Sequence, residues 1–231
     1  MAGKFSEAVR LLWGNLGLFS AIILTVWLPG NILTNYVAYH VVEPGDEYSG
    51  YMSLNMWIET IFGPIYIGAL VYAMFQIKSG RAVTYREAMG VGIRKWGSLF
   101  AARFAAGILI LLGSIALVIP GIILAVRYSL LDAPVVIEGK GASAARARST
   151  ALTIGRRWRI FWAAILFFIV YMILGITIYL PLDFFELLNT MPAAIVLDCI
   201  FTIAYAVIQI VMFLFFWESI QNQTQVEEAA Q

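Results

Sequence analysis

Residues 98–137 form a forty-residue apolar stretch with only three charges in it, Arg103, Arg127 and Asp132. As one helix it would be about 60 Å long, twice the ~30 Å hydrocarbon layer of a bilayer. Basic segments lie at both ends. Residues 78–95 carry Lys78, Arg81, Arg86, Arg94 and Lys95, and residues 140–159 carry Lys140, Arg146, Arg148, Arg156, Arg157 and Arg159. An excess of Lys and Arg marks the cytoplasmic side of a membrane protein. With both flanks on that side, the stretch crosses an even number of times, and a hairpin turning at Pro120-Gly121 satisfies this. A chain containing such a segment is polytopic.

The remaining apolar runs agree. Six spans of bilayer length are predicted at roughly 13–39, 53–77, 98–119, 121–137, 158–180 and 193–217. Whether 121–137 fully crosses is left open, because it is short and holds Arg127 and Asp132. The segment 41–52 has Glu43, Asp46 and Glu47, the segment 181–192 has Asp183 and Glu186, and neither has Lys or Arg. Both face outward, which places both termini in the cytoplasm. Composition fits: 61% of the residues are hydrophobic and 13% charged, against about 45–50% and about 25% in a soluble domain. The expected fold is an all-α integral membrane bundle of about six transmembrane helices. Residues 1–220 form a single transmembrane domain, and 221–231 read as a polar, disordered cytoplasmic tail.

Several functions drop out. A net charge of +1 creates no field for nucleic acid. One cysteine, Cys199, cannot close an intrachain disulfide, and with one histidine, His40, it supplies no metal cluster. No cofactor motif and no nucleophile–base set are present, so the chain reads as a non-enzyme.

A weak repeat runs through the chain. Lys4-Phe5-Ser6-Glu7-Ala8 leads to Trp13-Gly14, Tyr85-Arg86-Glu87-Ala88 to Trp96-Gly97, and Ser143–Gly155 to Arg157-Trp158. Each then runs apolar to a proline, Pro29, Pro120 or Pro181. The pattern reads as three units, each a short cytoplasmic helix and a membrane hairpin. Equally, Trp at interfaces and Pro at span ends recur for physical reasons.

The most specific text begins at Pro120-Gly121-Ile122-Ile123-Leu124-Ala125-Val126-Arg127-Tyr128-Ser129-Leu130. It continues through Pro134, Glu138-Gly139, Ser149, Leu152-Thr153, Gly155 and Arg157-Trp158-Arg159-Ile160-Phe161. Over about 82–182 the chain resembles the membrane domain of bacterial glycerophosphoryl diester phosphodiesterases and the related YciC-like inner-membrane proteins. Phe5-Ser6-Glu7-Ala8 and Leu28-Pro29-Gly30 extend the likeness loosely. The resemblance implies a multi-pass protein of the bacterial cytoplasmic membrane. It carries over no catalytic residue, because hydrolysis in those enzymes belongs to a separate soluble domain.

Five ionisable side chains fall inside apolar runs: Glu59, Arg103, Arg127, Asp132 and Asp198. Each costs about 2.5–3.5 kcal/mol at a helix centre and tends to face a partner inside the bundle. Counted along straight helices, Glu59, Arg127 and Asp198 lie roughly 8–11 Å below the outer boundary, and Arg103 and Asp132 roughly 8 Å above the inner one. Two tiers follow. Arg127 is expected to pair with Glu59 or Asp198, and Arg103 with Asp132. These pairs could simply lock helices together, or line a polar path.

On the cytoplasmic side, residues 142–157 read as a surface helix. With Lys140, Arg146, Arg148, Arg156, Arg157 and Arg159 it forms a basic belt. Each such charge is worth about 1 kcal/mol near an anionic surface. The belt suggests lipid headgroups as partners, or a protein partner or second copy, and otherwise only sets topology. Two functions remain open: association with lipids or a partner, or a small transporter or channel with a polar site around Arg127, Glu59 and Asp198. A water-accessible cavity separates the second from the first.

Overall fold

The computed structural model describes residues 2–41, 47–185 and 190–229. Every regular element among them is helical: α1 (Ala2–Gly14), α2 (Leu16–His40), α3 (Glu47–Lys78), α4 (Tyr85–Ala116), α5 (Val118–Tyr128), α6 (Asp132–Val136), α7 (Ala142–Leu152), α8 (Arg157–Phe184) and α9 (Met191–Ala229). Six segments are long and apolar enough to cross a membrane. The protein is a multi-pass, all-α membrane bundle.

Its centre is the antiparallel pair α3–α4, with α2 and α9 packed beside it. Small residues let the backbones meet, the usual device where lipid removes the hydrophobic drive between helices. A Cβ on Gly92 would run into the Ile65 carbonyl oxygen and sit 3.1 Å from Ala69 Cβ, while one on Gly68 would meet Leu99. Close by, the indole N–H of Trp96 donates to the Ile61 carbonyl. That carbonyl adjoins the Thr60 carbonyl, which Pro64 four residues on leaves without its ladder N–H.

The α4–α5 hairpin turns at Leu117, whose backbone is extended (φ −164°, ψ 143°), three residues before the expected Pro120-Gly121. Pro120 instead lies in the first turn of α5, where a missing N–H costs nothing. Gly121 lies against Ser114, leaving no room for a Cβ.

The fourth expected span is not one helix. Eleven residues of α5 rise about 16 Å, half a hydrocarbon layer. The chain then turns at 129–131 and forms the five-residue α6. A serine from α7 makes this break tolerable. The Ser149 hydroxyl donates to the Arg127 carbonyl at 2.7 Å and accepts from the Leu130 N–H at 3.2 Å. Irregular backbone at membrane depth survives only when protein satisfies it in this way. With Ala145, Ser149 and Leu152 buried, α7 is packed into the bundle and does not simply lie on a surface.

Two of the three expected repeat units have the anticipated shape: α1 precedes α2–α3, and α7 precedes α8–α9. The middle unit differs. Thr84 and Glu87 form a reciprocal capping box that starts α4 at Tyr85, and the helix runs 32 residues without a break at Trp96-Gly97. The expected disordered tail also differs, because α9 continues as helix to Ala229 and Gln223 accepts from Arg148 at 2.9 Å. Residues 230–231 lie outside the described part of the chain.

Helix α8 stands apart. It packs chiefly on α9 and α5, and only 6% of its most apolar window is buried, against 61% for α3.

Candidate functional site

The polar cluster within the bundle begins on α2. Asn31, Thr34 and Asn35 share one face by their i, i+3, i+4 spacing, and all three are buried. Asn35 Nδ2 donates to the Asn31 carbonyl at 2.9 Å and to Asp198 Oδ2 at 3.2 Å. Tyr179 of α8 donates its hydroxyl to Asp198 Oδ1 at 2.9 Å. Asp198 on α9 is thus held from two helices. Its neighbour Cys199 receives the Asn31 amide at 3.7 Å, and Thr202, one turn on, donates to the Asp198 carbonyl at 2.7 Å.

Of these residues, Asn31, Tyr179, Asp198 and Thr202 line a cavity of about 730 Å³ bounded by α2, α3, α8 and α9. It lies in the half of the bundle toward the α2–α3 and α8–α9 connections. Glu59, Asp198, Asn31, Asn55 and Thr202 are its polar lining. Trp27, Tyr171, Tyr179, Phe201 and Tyr205 supply an aromatic wall. The rings brace one another: Tyr171 meets Phe201 edge-on at 5.7 Å and Tyr205 at 5.9 Å, and Tyr179 lies 5.1 Å from Phe201. Glu59 is half-buried and lines the cavity, and among the described residues its carboxylate has no hydrogen-bond or ion-pair partner. Trp27 is 8% exposed and its indole N–H is likewise unpartnered among the described residues.

Beside the cavity is the Arg103–Asp132 pair. Arg103 Nε reaches Asp132 Oδ1 at 2.8 Å and Nη2 reaches Oδ2 at 3.2 Å. This two-pronged grip is the expected inner pair. Tyr205, which lines the cavity, is within electrostatic reach of Glu59 and of both members of that pair. The two expected tiers therefore lie next to each other.

Arg127 does not belong to the cluster. It is near the C-terminal end of α5, its carbonyl bound by α7 and its Nε buried without a partner among the described residues. The expected Arg127–Glu59 and Arg127–Asp198 pairs are not formed. Counting depth along the chain could not show this, because α5 packs chiefly on α4, α7 and α8 and not on the helices that carry Glu59 and Asp198.

The basic belt is partly consumed by protein. Arg148 and Lys140 both pair with Glu138, at 2.9 and 3.6 Å. Arg156 donates to Ser219 at 2.7 Å and lies 3.9 Å from Glu218. Arg146 and Arg157 are half-buried and Arg159 is exposed. Around the last two, Ile154, Trp158 and Trp162 are exposed.

Sequence reasoning found Glu59 and Asp198 but missed Asn31, Asn35, Asn55 and the aromatic wall. The Asn31–Thr34–Asn35 stripe was a usable signal, being polar at helical spacing inside an apolar run. The tyrosines carried none, since isolated aromatics are ordinary in spans. Chemically, the arrangement can bind and orient a solute. Among the described residues no three of His, Cys, Asp and Glu gather as a metal site.

One family model, described as a domain of unknown function (DUF7847), matches residues 58–221. That range takes in most of α3 and everything through the membrane part of α9. No curated protein and no solved structure matches the chain.

Proposed function

Since the chain belongs to the DUF7847 family, whose description assigns no activity, we propose from its own cavity that it is a small-solute transporter. The carrying observation is the roughly 730 Å³ space with carboxylates and amides at its wall. A scaffold that merely locks helices together would turn apolar side chains to that groove, whereas here Glu59, Asp198, Asn31 and Asn55 line it. The volume falls in the range of small-molecule sites, about 300–1,000 Å³. Prolines inside α2, α3 and α8 and the sparse packing of α8 supply elements able to move.

In this reading the protein sits in a bacterial cytoplasmic membrane with both termini inside, and the cavity opens outward. The charge bias of the connecting segments and the resemblance described above support that orientation. A second role, contact with anionic lipid, rests on Ile154, Trp158 and Trp162 exposed beside Arg157 and Arg159. That is the composition of an interfacial anchor.

The test uses a single-cysteine protein, Cys199→Ser with Thr202→Cys. A cationic, membrane-impermeant thiol reagent added outside right-side-out vesicles should label it. Failure to label from either side would mean a dry bundle, and the transporter reading would fall.

A further inference from the structure

We propose that the ligand of this cavity is an amphiphilic organic cation, an ammonium group on an apolar body, with its charge seated against Glu59. The proposal rests on the reading of the cavity as a solute site and names what the solute is.

The lining has a one-sided chemistry. Its described residues include two carboxylates and no Lys, Arg or His. Glu59 is ionisable, lies at membrane depth, and has no hydrogen-bond or ion-pair partner among the described residues. A charge in that setting demands a counter-charge or water, and an ammonium supplies the first. Around Asp198 the donors are committed: Asn35 and Tyr179 donate to its carboxylate, Asn31 to Cys199, and Thr202 to a backbone carbonyl. An anion would face two carboxylates and rings whose faces are negative. A cation is attracted by both. The edge-to-face arrangement of Tyr171 with Phe201 and Tyr205 fixes those faces, and ring faces bind quaternary and alkylammonium groups.

The shape of the solute follows from α8. Met172, Ile176 and Leu180 continue the lining with aliphatic surface, which suits an apolar body.

The experiment measures protection of the Cys199→Ser, Thr202→Cys protein from the impermeant reagent. Three probes share one skeleton: benzyltrimethylammonium, its uncharged carbon analogue neopentylbenzene, and anionic phenylmethanesulfonate. The expected result is that only the ammonium slows labelling. Adding Glu59→Gln should raise its half-protecting concentration about tenfold, with protection expressed relative to each variant's own unprotected labelling rate. Equal protection by neopentylbenzene, protection by the sulfonate, no protection by the ammonium, or indifference to Glu59→Gln would each overturn the cation assignment while leaving the cavity intact. Absence of labelling with no probe present is the separate result that removes the transporter reading itself.

Discussion

The Arg103–Asp132 pair is the interaction on which a single residue has most leverage. Asp132 is 15% exposed at its side chain and Arg103 34%. Removing one partner of a buried ion pair costs about 3–5 kcal/mol, mainly by stranding the other charge. Asp132→Ala should therefore cost about 3–5 kcal/mol. Arg103→Met combined with Asp132→Leu should recover most of it. Melting in lipid nanodiscs checks both; equal loss in the single and the double variant would mean the pair contributes only packing. This pair was legible in the sequence because both residues lie on one hairpin, where register can be counted. Arg127 was not. Its partners depend on which helices α5 packs against, chiefly α4, α7 and α8, and that choice is not encoded near Arg127.

Helix pairs in this bundle are specified by glycines, and two glycines on α4 separate packing from propensity. Gly92 lies against the α3 backbone, whereas a Cβ on Gly90 would meet nothing within 4 Å. Gly92→Ala should force α3 and α4 apart and cost about 1–3 kcal/mol by overpacking. Gly90→Ala, half a turn away, should be neutral or stabilise by up to about 1 kcal/mol through helix propensity. Thermal melts of the two variants side by side settle this, and similar shifts would sink the close-approach account. The long elements were readable from apolar run length alone. Their interruptions were less so. Pro120-Gly121 does mark the hairpin, but proline reports the first turn of the following helix and not the turn itself. The capping box at Thr84 was spelled out in the sequence, yet its consequence, a helix that absorbs the expected surface segment, follows only when nothing downstream breaks it.

For the molecule as a whole, the proposed orientation rests on where the fifteen Lys and Arg residues fall, and reporters fused at either terminus should both read cytoplasmic in intact cells. A periplasmic readout at both ends would invert the cavity, and at one end alone would break the even number of crossings; either overturns the proposed orientation. The cavity itself was beyond the reach of the sequence, since empty volume is a property of how four helices fail to close. That failure has a consequence for any measurement on the protein. With α8 joined to its neighbours chiefly along α9 and α5, the cavity is walled on its remaining side by whatever solvent surrounds the bundle. In a membrane that wall is acyl chain; in detergent it is a micelle of different thickness and pressure. The proposed binding site is therefore a composite of protein and lipid. Its affinity is a joint property of the two, and will change with bilayer thickness even when no residue has been altered.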